Sequence, residues 1–170
     1  TANTNVDGMT GVEDLSITAS TINLGGSLTA ADIAGNSVTL TGAVTLDTDI
    51  TIDNDATNDG IVGIVGAVTG GNNNLTIISG TANTNVDGMT GVEDLSITGS
   101  TINLGGNITT ADIAGNSISL TGALTLDSNV SLTTNATNDG NVDLVGALAA
   151  GNFDFTIDAG SAAVTVDGIT

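Results

Sequence analysis

One run of eighteen residues, TANTNVDGMTGVEDLSIT, occupies Thr1–Thr18 and returns without a change at Thr81–Thr98. A third version, SAAVTVDGIT, begins at Ser161, another 80 residues on. Across the period, 54 of 80 positions agree between Thr1–Gly80 and Thr81–Gly160. A fixed period of this kind marks a repeat architecture, in which a unit buries its apolar face only against its neighbours. The chain divides into copy one (1–80), copy two (81–160) and the start of a third copy (161–170), forming one continuous solenoid. It begins with Thr and stops inside a repeat, so it reads as a piece cut from a longer chain.

Within each copy the local pattern is alternation at period two, rich in β-branched residues, and not the spacing of a helix. NLTI (Asn74–Ile77), DLSI (Asp94–Ile97), SISL (Ser117–Leu120) and FDFTI (Phe153–Ile157) are such runs. The first two lie 20 residues apart, which predicts about four coils of roughly 20 residues in each 80-residue copy. Between the runs stand VDG, TNDG, AGNS and GG, whose Gly, Asn and Asp suit tight corners. The chain has no Pro, so every backbone N–H is free to join a ladder. Parallel crossovers are right-handed almost without exception. The expected fold is therefore all-β, a right-handed parallel β-helix. If four coils fill a copy, residues 80 apart, such as Asp7 and Asp87, stack along one axis about 19 Å apart.

Differences between the copies predict which side chains face inward. Val38/Ile118, Val44/Leu124, Ile50/Val130, Ile52/Leu132, Ile64/Leu144, Val68/Leu148 and Leu75/Phe155 exchange one apolar residue for another. Ile61/Asn141 and Ile78/Asp158 turn polar and are expected outside, opposite to Val62 and Ile77 beside them. Only 1% of residues are aromatic, so the core must be built from aliphatic side chains.

Charge narrows the function. There is no Lys, Arg or His, against 19 Asp and Glu, for a formal charge of −19. Without a basic patch the chain cannot track a phosphate backbone, so nucleic acid is excluded as a partner, and an anionic membrane surface with it. The longest apolar run, Ile61–Val68, is too short to span a bilayer, so no membrane insertion is expected. There is no cysteine from which to read a redox compartment.

NLTI, DLSIT, TINLGG (Thr21–Gly26 and Thr101–Gly106), TGAVTLD (Thr41–Asp47) and TGALTLD (Thr121–Asp127) resemble the repeats of filamentous-haemagglutinin-type exoproteins. The resemblance covers the whole chain. It implies a right-handed β-helical shaft of a giant bacterial surface protein, exported and displayed as a fibre or adhesin. No secretion domain and no ligand-binding segment of that family is present among these residues, so no adhesive target carries over.

Candidate sites are few. Paired carboxylates could perform glycosidic acid–base chemistry, with Asp14 or the group Asp47, Asp49, Asp53 and Asp55 as candidates. A repeated shaft would copy such a site, however, and there is no Trp or Tyr to stack on a sugar ring, so no enzyme is expected. A calcium site is the stronger alternative. DTDITIDNDATNDG (Asp47–Gly60) offers Asp47, Asp49, Asp53, Asp55 and Asp59 as hard oxygen ligands. Copy two replaces Asp49, Asp53 and Asp55 with Asn129, Thr133 and Asn135, as a dedicated site would not tolerate. Each copy holds nine acidic residues, six of them at shared positions. That tally suggests that charge density matters and individual carboxylates do not. The pair Thr39/Thr41 invites an ice-binding reading, but its counterpart has slipped to Ser119/Thr121, so these threonines read as outward strand residues. Sequons at Asn74, Asn107, Asn129 and Asn135 follow from composition and matter only in a secretory host.

The sequence thus points to a non-enzymatic, extracellular structural shaft, in a surface fibre or giant adhesin. The alternative is a calcium-dependent adhesion module, and after it a β-helical carbohydrate-active enzyme. No cofactor is expected to be required, and calcium or magnesium is expected only as diffuse counterions. The expected partners are further repeats of the same chain or head-to-tail copies of it, covering strand edges left open at either end.

Overall fold

The computed structural model describes residues 2–54, 58–134 and 136–169. Among these residues there is no helix, and eighteen strands join into one sheet. Their pairings are parallel throughout. The result is a β-solenoid of about 22 residues per turn.

Each coil has three sides. Asn3–Val6 forms the first, Met9–Val12 the second, and residues 14–18 the third. The strand Asp14–Leu24 then bends, its register shifting between Thr18 and Thr21, and residues 21–24 come to lie directly on Asn3–Val6. Inward residues therefore stack in columns. On the second side the column is Met9, Leu28, Ile52, Ile77, Ile97, Leu120, Leu144 and Val166. On the first it is Thr4, Ile22, Val44, Val68, Met89, Ile108, Leu132 and Ile157. Aliphatic contact runs without a break along the axis, and one cluster takes in the buried core of every coil.

The inward assignments hold. All of the paired apolar positions named above are buried except Phe155, which packs half-buried against the core near the last coil. Ile61 is 49% exposed and its counterpart Asn141 is exposed too, while Val62 beside Ile61 is fully buried.

The stacking of residues 80 apart does not hold. The step from Leu75 to Leu95 is indeed 20 residues, but other steps run from 18 (Thr4 to Ile22) to 25 (Leu132 to Ile157). The reason lies in the corners. Glu13 alone turns one of them, whereas residues 31–36 form another. Counted along the chain, one copy holds eleven strand segments, from Asn3–Val6 to Leu75–Ile78, before the pattern restarts at Asn83–Val86. Eleven is not a multiple of three. Copy two therefore starts on the third side, where Thr84 pairs with Val62, and not on the first side where Thr4 lies. A copy advances three and two-thirds coils, not four. Asp7, Asp87 and Asp167 consequently sit on three different edges of the solenoid.

Glycine is required where a corner of one coil rests on the next. Gly42 has φ 133°, and a Cβ there would run into the carbonyl oxygen of Ala19 in the coil below. Gly122, its counterpart, has φ 147° and meets Gly99 in the same way.

Candidate functional site: polar ladders at the corners

Corner polar groups are chiefly occupied in tying one coil to the next. Ahead of the second-side strands, Asp49 Oδ1 accepts the N–H of Asn74 at 2.9 Å. Asn74 Oδ1 in turn accepts the N–H of Asp94 at 3.0 Å, and Asp94 Oδ1 accepts the hydroxyl of Ser117 at 2.7 Å. Carboxylate, amide and hydroxyl oxygens follow each other up one line. Each satisfies a backbone or side-chain donor that the corner would otherwise leave without a partner.

The same bonds recur one side away in copy two, with different chemistry. Ser27 Oγ accepts from Thr51 N at 3.0 Å, and Asn107 Oδ1 does the same for Ser131 N at 2.8 Å. Asn129, standing where copy one has Asp49, accepts from Asp154 N at 3.0 Å. An acceptor oxygen is what these positions need; its charge is incidental.

Other positions do retain a particular carboxylate. Asp14 accepts from Ser37 Oγ at 2.7 Å, as Asp94 does from Ser117. Asp32 accepts from Asn58 N at 2.9 Å, and Asp112 from the N–H groups of Thr137 and Asn138, each at 2.9 Å. Asp59 holds Thr81 N at 2.6 Å, and Asp139 holds Ser161 N at 2.8 Å. Asp87 reaches back to accept from Gly66 N at 2.7 Å. The idea that only charge density counts is therefore corrected. At three of the six shared acidic positions the carboxylate makes the same coil-to-coil bond in both copies.

Those bonds shift acidity. The N–H groups of Thr137 and then Asn138 stabilise the Asp112 carboxylate and hold its pKa at about 2. The hydroxyl of Ser161, followed by its N–H, lowers Asp139 as well.

The candidate metal ligands fall at both ends of one strand. Asp47 and Asp49 flank the corner ahead of Ile50–Asp53, Asp53 ends that strand, and Asp59 closes the following corner. Asp55 lies outside the described residues. Asp49 and Asp59 are already bonded to Asn74 and Thr81. Among the described residues no three acidic side chains gather into a set that could hold a metal ion. Asp14, considered as a catalytic acid, makes a contact with Ser37 that copy two repeats.

Sequence reasoning missed a different set, the buried polar residues. Asn36 and Asn116 are 3% and 2% exposed, and their amides donate to the carbonyls of Ala31 and Ala111 at 2.6 and 2.7 Å. Their Oδ1 atoms accept no hydrogen bond from N–H or O–H. Each instead faces Gly60 or Gly140 of the next coil, so closely that a Cβ could not be placed there. The Cα hydrogen in that position makes a weak C–H···O contact with the amide oxygen. The signal was present in the sequence: AGNS and TNDG are identical in both copies.

No known protein family, curated protein or solved structure matches this chain. The likeness to filamentous-haemagglutinin-type repeats rests on its motifs alone, and what the fold establishes is a repeating β-solenoid.

Proposed function

We propose that the chain is a length of structural shaft from an extracellular surface fibre or giant adhesin, without enzymatic activity. The observation that carries this reading is the use made of its polar groups. From coil to coil, side-chain oxygens at the corners bond the neighbouring coil, and among the described residues no three acidic side chains gather into one group. Such an arrangement stiffens a rod and suits none of the usual modes of catalysis. Its partners are further repeats of the same chain, or copies stacked head to tail against the open strand edges of the end coils. Calcium and magnesium act as diffuse counterions.

Two measurements test the proposal. Small-angle scattering should give a thin rod whose cross-section does not change when copies are added. Antibodies raised against the chain should label intact cells of the source organism. A compact particle, or labelling only after the cells are broken, would overturn it.

A further inference from the structure

Exposed apolar side chains are spread unevenly over the three sides. Apart from Val164 and Ile169 in the last coil, the large exposed ones are Ile33, Ile61, Val65, Val145 and Phe153. Ile61 and Val65 point outward on the third side, 49% and 52% exposed, with Gly63 as the floor between them. Ile33 lies in the corner that leads into that side, and Phe153 in the corner that leaves it. Val145 is the last second-side residue before the bend at Gly146 into the third. Contiguous exposed apolar surface of this kind marks a place where something packs.

The same side is free of charge across its middle. Its central outward row runs from Ser16 through Gly63 and Asn103 to Ala149, seven coils without a carboxylate. In the row that contains Ile61, the one charge among the described residues is Asp14, in the first coil. Carboxylates stand at the rims, where Asp87 accepts from the N–H of Gly66 and Asp59 from that of Thr81. The second side, in contrast, carries Asp53 and Asp143 on its face. The first side is uncharged from Asn5 to Thr133 but offers no large exposed apolar side chain among the described residues.

The two copies show that folding alone does not require the patch. In copy two the strand of Ile61 and Gly63 falls on the second side, and their counterparts are Asn141 and Asp143. Both versions form the same strand. The polar one stands on the charged side, and the apolar one on the neutral side.

A cationic partner would be drawn to the acidic corners and second side, and a second copy would be repelled there. Across the third side that repulsion is weakest, and a neutral, partly apolar face is matched by another of the same kind. We propose that the third side is a contact face between shafts, on which a second copy packs side by side, third side against third side. Seven coils at about 4.8 Å, with strands about five residues wide at about 3.3 Å each, give a face of about 550 Å². Two such faces cover about 1,100 Å² in all, above the roughly 1,000 Å² expected of a specific interface. A two-fold pair uses the same patch on both partners and closes at two rods. The proposal rests on the shaft reading, but it fails separately: rods that never pair would leave the shaft standing and remove this inference.

The test compares the full chain with Ile61→Asn/Gly63→Asp, which writes copy two's residues into the third side. Asn141 and Asp143 already occupy that strand in copy two, and a Cβ at Gly63 would meet only Thr39 Oγ1, at 4.0 Å, so the variant keeps its fold. Thr133→Asp is the control, adding one charge to the first side at the counterpart of Asp53. Sedimentation gives the mass, and small-angle scattering separates rod width from rod length. At roughly 1 M NaCl the screening length falls to about 3 Å, and repulsion between the corners is largely removed. There the native chain and Thr133→Asp should pair, with doubled mass and a thicker cross-section. The double variant should pair about tenfold more weakly or less still. Native rods that stay single, or that lengthen without thickening, would overturn the proposal and leave the face to a different occupant. So would a folded double variant that pairs like the native chain, or a Thr133→Asp chain that loses pairing to the same degree.

Discussion

Ser79 Oγ and Thr84 Oγ1 lie 2.5 Å apart, and both residues are completely buried. Thr84 is the one polar residue between Val38 and Leu124 in an otherwise aliphatic column of Leu15, Val38, Val62, Ile102, Leu124 and Leu148. At the next junction the same two positions are Ala159 and Val164, both partners having changed together. A buried hydroxyl pair is tolerable because Thr84 bonds Ser79 and Ser79 Oγ also reaches the Thr98 carbonyl at 3.3 Å, and a buried apolar pair needs no satisfaction. Thr84 left alone is the costly state. Ser79→Ala should destabilise the chain by about 1–3 kcal/mol, and Thr84→Val by less, because Ser79 keeps the Thr98 carbonyl. The double variant should return to within about 1 kcal/mol of the native chain, read as a coupling energy from urea unfolding. Additive losses in the double variant would show that the two hydroxyls act independently.

Gly35 and Gly42 separate backbone strain from steric conflict. Gly35 has φ 91° with open space where a Cβ would go, while Gly42 has φ 133° and the Ala19 carbonyl in the way. Gly35→Ala should cost about 1–2 kcal/mol, the penalty of a left-handed conformation alone. Gly42→Ala carries that penalty and also forces two coils apart, so its loss should be larger by a further 1–3 kcal/mol or so. Thermal melts of the two variants compare them directly.

The corner ladder predicts which acids can be neutralised. Asp49→Asn should leave stability almost unchanged, because Asn129 makes the equivalent bond in copy two. Asp49→Ala leaves the Asn74 N–H without its partner and should cost about 0.5–1.5 kcal/mol. The difference should persist in high salt, where a purely electrostatic role would fade. Amide exchange at Asn74 reports it locally.

How much of this could be read in advance depends on the corners. The strands and their inward faces were legible because alternation survives substitution, as at Val44/Leu124 and Ile52/Leu132. The coil length was not. Leu75 and Leu95 offered a clean interval of 20 residues, yet a corner of one residue at Glu13 and a longer one at 31–36 give no periodic signal. From that error came the stacking of Asp7 on Asp87, which the structure replaces with a shift of one side. The corner bonds were hidden for another reason. Ser27 and Asn107 look like an ordinary surface substitution until the register shows both accepting a backbone N–H from the coil above.

Acid should weaken two identifiable corner bonds of the second copy. The pKa of Asp112 is held at about 2 against 3.8 for the unperturbed group, and Asp139 is lowered too. A depressed folded-state pKa stabilises above the unfolded value, and this stabilisation is lost as pH falls through the folded one. Between about pH 4 and pH 2 the unfolded chain binds the extra protons, so Tm should drop across that window. Asp112→Asn/Asp139→Asn keeps the acceptor oxygens but cannot titrate. Its Tm should fall less over the same interval, with little change at pH 7. Identical acid profiles for the variant and the native chain would remove both groups from the acid response.

Net charge sets the last expectation. The chain carries 19 negative charges and no positive one, and many of its carboxylates line the edges of one narrow rod. Mutual repulsion opposes folding and is screened by salt, so Tm should rise as sodium chloride is added. Magnesium or calcium at millimolar levels should act more strongly than sodium at equal ionic strength, since a divalent ion condenses more readily on such a line of charge. Diffuse screening needs no particular carboxylate. Neutralising Asp53 and Asp55 together should therefore shift Tm slightly and leave the response to calcium intact. Loss of the calcium response in that variant would mean that ions are held at one place, and would favour a calcium-dependent adhesion module over a plain shaft. Calorimetry separates the two, because a built site saturates at a fixed stoichiometry and a counterion cloud does not.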